Sequence, residues 1–289
     1  MSASTIAVSQ PLPVRPRRDP TWLLAAPALI YFALFYALPI LWLLAGSITG
    51  RTGVMFGSYA EFLSDPFNWR VISNTVRVAA LVTVFCLVLG YPVAFALAWA
   101  RGWMQIALLT AIILPLSIGV VVKAFAWQIV LRRDGVVSQF MMATGFWSEP
   151  QRLLFTEGGL VFGAANVFLP FMILPIYAVV KLMDPRLNEA AATLGATPFY
   201  SFWRIVIPLT LPGVVTGIAF VFSMSISMFV IPSLLIGDQF QTLATLIGRS
   251  FLLMRNEQLG STTAVVLLIL AVGVVVFTSA LARRLGGST

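Results

Sequence analysis

Residues Asp184 to Gly213 read DPRLNEAAATLGATPFYSFWRIVIPLTLPG, a polar, helix-forming insert between two strongly apolar stretches. Asp184 is an N-cap residue, and Pro185 suits the first helical position, where a missing N–H costs nothing. Glu189 follows early in the helix, where a negative charge meets the positive end of the dipole. Leu187, Ala190, Ala191 and Leu194 place small and apolar groups on one side. Gly195 can take the left-handed conformation that ends a helix. Thr197–Pro198 then repeats the cap-plus-proline start, and Phe199, Phe202, Trp203 and Val206 form a stripe at helical spacing. The pattern predicts two short helices joined at a glycine hinge.

Working outward, the flanks of this insert set the class of the whole chain. Of 289 residues, 60% are hydrophobic and 10% are charged, and the mean hydropathy is +0.97. Soluble domains carry roughly 25% charged residues, so the composition is that of a polytopic, all-α membrane protein. No long polar region exists for a separate soluble domain. The net charge is +8, but the basic residues are scattered between apolar runs. That placement fits lipid headgroups and membrane topology, not nucleic acid.

Six apolar stretches are long enough to cross about 30 Å of hydrocarbon: Trp22–Gly46, Val76–Trp99, Met104–Leu131, Leu160–Met183, Ile207–Ile236 and Thr263–Ala282. The first is too long for the apolar part of a cleaved leader and reads as a retained span. The tail before it, residues 1–20, is rich in Ser, Pro and Arg and reads as disordered. Residues 21–289 read as one transmembrane domain, with the insert at about 184–206. An even number of spans places both termini on one side. Arg15, Arg17, Arg18, Arg101, Lys181, Arg186, Arg204, Arg283 and Arg284 share that side and hug span ends, which makes it cytoplasmic. The opposite loops, 47–75, 132–159 and 237–262, carry Phe56, Tyr59, Phe62, Phe67, Trp69, Phe140, Phe146 and Trp147. These aromatics read either as interface anchors or as part of a surface that receives a soluble protein.

Chemistry-bearing residues are sparse. Histidine is absent, and Cys86 is the only cysteine, which leaves no Ser/His or Cys/His pair, metal cluster or disulfide. The two lysines, Lys123 and Lys181, close no phosphate-binding loop. No acidic side chain falls inside a predicted span, which argues against an ion-coupled carrier built on intramembrane carboxylates. Glu149, Glu157, Asp238 and Glu257 read as solvated loop charges, and Arg77 as an anchor near a span end. Lys123 is the most interior charge; it either lines a cavity or snorkels to the interface. With Trp127, Gln128, Asn166, Tyr177, Ser223 and Ser225, it forms the candidate lining of an aqueous path. The bland reading of these polar residues is interhelical packing. Pro39, Pro92, Pro115, Pro170, Pro175, Pro212 and Pro232 lie in or near the spans, a pattern compatible with a transporter.

One spacing is specific. Glu189-Ala190-Ala191, three residues, Gly195, nine residues, Ile205, one residue, then Ile207-Pro208 resembles the EAA signature of ABC-importer permeases, with Ile207 where the family more often has Leu. Leu89-Gly90-Tyr91-Pro92, Leu169-Pro170-Phe171-Met172 with Pro175 and Tyr177 after it, and Ile207 to Gly213 are similar to the spermidine/putrescine branch. The resemblance implies the type I importer permease (MetI-like) fold in a bacterial inner membrane. It implies that Glu189, Ala190, Ala191, Leu194, Gly195, Phe199, Ile205 and Pro208 couple this chain to an ATPase. The implied partners are two ATPase subunits carrying ATP and Mg, a soluble periplasmic solute-binding protein, and a second permease. That second permease is expected to be a paralogue, a homodimer being the alternative; this chain itself holds no cofactor and is not an enzyme. The implied cargo is a polyamine or related small organic solute, with an opine, an amino acid, a phosphonate or iron as alternatives. An ion-coupled secondary carrier is the rival of a different class.

Overall fold

A computed structural model describes residues 21–48, 57–184, 186–237 and 240–286. The tail 1–20, Phe56, Pro185 and Asp238 lie outside the described residues. Every regular element among the described residues is helical. The chain forms two units, 1–45 and 46–289.

The first unit holds α1 (Thr21–Phe32), a π turn over Ala33–Ala37, and most of α2 (Leu38–Ile48). The apolar helix Ala26–Ile48 has 23 residues, long enough to span. Its π turn ends one residue before Leu38–Pro39, and the Leu38 N–H bonds back to Ala33 O. Proline cannot donate and its ring crowds the carbonyl four residues back. Widening the helix locally to an i→i+5 register relieves that crowding while the axis continues.

The core of the second unit lies between three of its long helices: α4 (Pro66–Trp99), α8 (Glu157–Leu182) and α11 (Ile207–Ser227). Val82 and Cys86 of α4, Ala164, Met172 and Ile176 of α8, and Val221 of α11 are fully buried in their shared core. Helix α11 approaches α8 closely because Gly213 and Gly217 face it. A Cβ on Gly213 would lie 2.9 Å from Pro175 O, and one on Gly217 2.7 Å from Met172 Sδ. This is the small-xxx-small arrangement by which membrane helices gain packing.

Local sequence explains where the helices begin. Asp65 accepts from Phe67 N at 2.8 Å ahead of Pro66. Thr156 accepts from Gly159 N at 3.1 Å at the head of α8. Thr242 and Thr245 form a capping box for α13 (Leu243–Leu252). Helix α4 therefore starts at Pro66 and not at Val76, and the expected loop 47–75 contains α3 (Gly57–Ser64) and the first turns of α4. Helix α14 (Glu257–Gly286) likewise starts before Thr263. A satellite cluster of Phe62, Val71, Leu243 and Leu246 joins α3, α4 and α13.

Two spans depart from expectation. The stretch 104–131 is α5 (Trp103–Ile113), a 3₁₀ turn Leu114–Ser117, and α6 (Val120–Val130), with a bend of 101°. Pro115 removes a donor, Ile118 is extended with ψ 124°, and Gly119 precedes the second arm. Each α-helical arm has 11 residues, about 16 Å at 1.5 Å per residue, too short to cross about 30 Å alone. The pair nonetheless runs the length of α8: Gln105 Nε2 donates to Tyr177 Oη at 2.9 Å, and Leu154 N, just before α8, donates to Leu131 O at 2.9 Å. It is a broken span, and the loop expected after it, 132–159, contains α7 (Val136–Ala143). The stretch 207–236 is not one helix either. Helix α11 stops at Ser227, and α12 (Val230–Leu235) follows as a separate turn pair.

Candidate functional site

The insert 184–206 stands at the end of the bundle formed by the C-terminus of α4. Helix α9 (Arg186–Thr193) begins under Asp184, whose Oδ1 accepts from Arg186 N at 2.9 Å. It ends in a Schellman motif: Ala196 N bonds Ala191 O at 3.0 Å and Gly195 N bonds Ala192 O at 3.0 Å. Gly195 has φ +82°, the left-handed value this ending needs. Thr197 Oγ1 then accepts from Tyr200 N at 3.3 Å and starts α10 (Pro198–Ser201). The glycine hinge is present, but the second helix is not short. α10 continues through a π turn, Phe202–Val206, directly into α11, so residues 198–227 form one helix of 30 residues. Pro208 follows this π turn as Pro39 follows the first, and the same relief of crowding keeps the helix continuous.

The segment has an open side and an anchored side. On the open side, Leu187, Ala190, Ala191, Leu194, Tyr200 and Ile205 line a groove of about 640 Å³. Leu194 is 87% exposed and Phe199 75%, and Glu189 is exposed beside them. On the anchored side, Phe202 packs against α4, its ring 6.4 Å from Tyr91 and 6.3 Å from Phe95. Trp99 extends this aromatic ladder from Phe95 at 5.7 Å. The Tyr91 hydroxyl lies 3.0 Å from Thr210 Oγ1 on α11. A crevice of about 340 Å³ remains between Trp99, Met183, Pro198 and Phe202. The arrangement is an exposed apolar knuckle at the head of a continuous helix, braced on α4 by aromatic edges.

The candidate path residues do not form one cluster. Trp127 Nε1 and Asn166 Oδ1 meet at 3.4 Å. Tyr177 lies three turns farther along α8, held by Gln105. Gln128 Nε2 donates to Leu234 O. The Ser223 and Ser225 hydroxyls are buried and unpartnered among the described residues. Lys123, in α6 just past the bend, is 8% exposed and has no hydrogen-bond partner or counter-ion among the described residues. Two other charges sit differently from expectation. Arg77 is well inside α4, and its Nη2 pairs at 2.9 Å with Glu157 Oε2 at the first residue of α8. Glu157 and Glu257 therefore open helices and are not loop charges. Tyr91 and Thr210 stood in the sequence only within the quoted similar stretches, and Phe95 was not named; none was assigned a bracing role, for which the aromatic pair at i, i+4 in α4 was the available signal.

Residues 86–286 match the family of binding-protein-dependent transport system inner membrane components. The chain is 32% identical over 248 residues to the spermidine/putrescine transport system permease protein PotB of Haemophilus influenzae, covering 84% of this chain and 86% of that one. It is 30% identical over 246 residues to PotB of Escherichia coli K12, covering 83% and 89%. Among solved structures, a bacterial ABC transporter involved in alginate import aligns with TM-score 0.73 at 21% identity, over 91% of this chain and 96% of that one. An inward-facing MetNI methionine ABC transporter aligns with TM-score 0.57 at 18% identity, over 76% and 98%. These two likenesses show the type I importer permease fold. The family match over most of the chain and the residue spacing of its knuckle agree: this chain belongs to the inner-membrane permease components of ABC importers.

Proposed function

We propose that the knuckle Glu189–Ile205 is the seat of a separate ATPase subunit and that this chain imports a polyamine or a closely related linear amine. The observation that carries the coupling role is the exposed apolar groove between α9 and the head of the continuous helix that becomes α11. A helix whose apolar face has no cover among the described residues fits a helix-in-groove contact with a partner. The continuous helix 198–227 makes motion of the knuckle a motion of the core, because Gly213 and Gly217 lock α11 against α8. In this reading two ATPase subunits carry ATP and Mg, a second and related permease completes the pathway, and a soluble binding protein delivers solute. Alternating access follows from rocking of rigid helices about packed interfaces. The knuckle end faces the cytoplasm, with both termini on that side. The polyamine cargo is supported by the similarity to the two PotB proteins.

A second cargo reading has one observation in its favour. Lys123 is buried by the bend of a broken span with no counter-ion among the described residues, and intramembrane charge is retained where it meets a ligand or partner. An anionic or zwitterionic solute would supply that counter-charge. Co-expression with the cognate ATPase and binding protein tests both points. Glu189→Arg should reduce recovery of the ATPase on co-purification, and unchanged recovery removes Glu189 from docking. Stimulation of ATP hydrolysis in proteoliposomes by the binding protein loaded with putrescine, and not with a carboxylate or phosphonate, supports the amine.

A further inference from the structure

At the far end of α4 from the knuckle, the first turns of α4 meet α3 and the start of α14 around a pocket of about 240 Å³. Helix α4 has 34 residues, so this pocket lies about 50 Å from the coupling end at 1.5 Å per residue. Its mouth carries two exposed carboxylates, Glu61 and Asp65, and its floor carries Asn68 and Thr262. Neither carboxylate has a basic partner within 4.0 Å among the described residues, in a chain whose net charge is +8.

The pocket presents more acceptors than donors: of its three side-chain amides two have a committed Nε2 or Nδ2, while Asn256 accepts from Leu259 N at 3.2 Å and keeps its Nδ2. Asn68 Nδ2 donates to Phe62 O at 2.9 Å, and Gln258 Nε2 donates to Ser58 Oγ at 2.6 Å. Their carbonyl oxygens are left over. Asp65 uses Oδ1 to cap α4, which leaves Oδ2. Thr262 decides the matter. Buried helical threonines in this chain return their hydroxyl to the preceding turn, as Thr263 does to Leu259 O at 2.7 Å and Thr75 to Val71 O at 2.7 Å. Thr262 is 1% exposed, borders the pocket, and its Oγ1 has no partner among the described residues. Leaving a buried hydroxyl unmatched is unfavourable, so its partner is expected from the pocket.

We infer that this pocket binds the ammonium group of a linear aliphatic amine. A primary ammonium offers three donors and no acceptor, the complement of this lining, and charge-assisted bonds to carboxylates are the strong ones. Phe62 and Leu259 supply apolar wall for a methylene chain. The volume lies just below the range of roughly 300–1,000 Å³ for drug-sized ligands, which suits a slender one. A divalent metal is a poorer fit. Calcium takes six to eight oxygen ligands, carboxylates prominent among them, and no cluster of three or more His, Cys, Asp or Glu occurs among the described residues. The pocket rests on the import reading for its role: it is a receiving site on the outer face, where an amine leaves its binding protein before entering the helices.

The test uses the assembled transporter in nanodiscs without the soluble binding protein, titrated with putrescine by calorimetry. Glu61→Gln combined with Asp65→Asn, which keeps a capping residue on α4, should weaken binding roughly tenfold or more. Thr262→Val should weaken it about threefold, and Glu149→Gln, at an exposed acid outside the pocket, should leave it unchanged. Unaltered affinity in the double variant overturns the site, as does displacement of putrescine by equimolar calcium. A double variant that loses only association with the binding protein also overturns it. If amine-loaded binding protein stimulates ATP hydrolysis while the wild type shows no putrescine binding here, the pocket falls and the import reading stands. If another solute drives hydrolysis and the double substitution still abolishes putrescine binding, the import reading falls and the pocket stands.

Discussion

The Tyr91 hydroxyl and Thr210 Oγ1, 119 residues apart in sequence, lie 3.0 Å from each other and tie α4 to α11 just above the knuckle. Thr210 also donates to Ile207 O at 3.0 Å, so it remains satisfied when Tyr91 loses its oxygen. Tyr91→Phe should therefore lower stability modestly, by about 0.6 kcal/mol, the usual worth of an interhelical hydrogen bond in a membrane protein. Its larger effect should be on transmission, because the brace that makes α11 follow the knuckle is weakened. A double-mutant cycle with Thr210→Val checks this. Strictly additive effects on solute-stimulated ATP hydrolysis would show that the pair is not coupled.

Gly195 holds φ +82°, with nothing among the described residues within 4 Å of where a Cβ would stand. The penalty of substitution is thus conformational and not steric. Gly195→Val should destabilise the helix ending by about 1–2 kcal/mol and impair stimulated ATP hydrolysis while membrane insertion is retained. Gly195→Asn should be milder, since Asn tolerates the left-handed region. Equal coupling in all three proteins would separate the Schellman ending from function.

What was legible in the sequence was what local chemistry decides. Asp184, Gly195 and Thr197 cap and stop helices through contacts within a few residues, and each does so as its type predicts. Boundaries set by hydropathy were misplaced wherever a helix outlasts its apolar run. Asn68, Arg70, Asn74 and Arg77 dilute the start of α4 without breaking it, because Asp65 and Pro66 already define the cap. The converse error occurs at Ile118–Gly119, where the apolar run continues but the helix turns through 101°. The apolar stretch beginning at Ile207 is instead the continuation of a helix from Pro198, with Pro208 accommodated by a π turn. The polar pairs that organise the interior, such as Gln105 with Tyr177 and Arg77 with Glu157, join residues far apart in the chain. No spacing rule reaches that distance, so the polar candidates for a path could not be resolved into partners.

The Arg77–Glu157 pair links α4 to the head of α8 at 2.9 Å, with Arg77 64% exposed and Glu157 26% exposed. Solvent screening keeps its net worth to about 1 kcal/mol or less. Removing one member should nevertheless do more than removing both, because Glu157 already has one buried oxygen, Oε1, without a partner. Arg77→Ala should lower the unfolding midpoint in detergent, and Arg77→Ala with Glu157→Gln should restore part of the loss. A double variant no better than Arg77→Ala alone would show that the charge of Glu157 is not left stranded.

Of the two α11 glycines that face α8, Gly213 leaves less room against main-chain atoms, and it yields the largest expected effect. A Cβ there would meet Pro175 O at 2.9 Å, Val179 Cγ2 at 3.0 Å and Ile176 Cα at 3.1 Å, two of them main-chain atoms that cannot rotate away. Gly213→Ala should cost about 1–3 kcal/mol, the range for overpacking a well-filled interior, and Gly213→Leu should prevent α11 from seating on α8. Gly217→Ala should be gentler, because its nearest neighbour at 2.7 Å is the Met172 sulfur, which belongs to a flexible side chain. Gly273, with nothing within 4 Å, serves as the control, since alanine there only improves helix propensity, by up to about 1 kcal/mol. The order of unfolding midpoints should run Gly273→Ala, wild type, Gly217→Ala, Gly213→Ala. If Gly213→Ala matches wild type, α11 is not held against α8 at this point, and the knuckle cannot move the core by the route through α11.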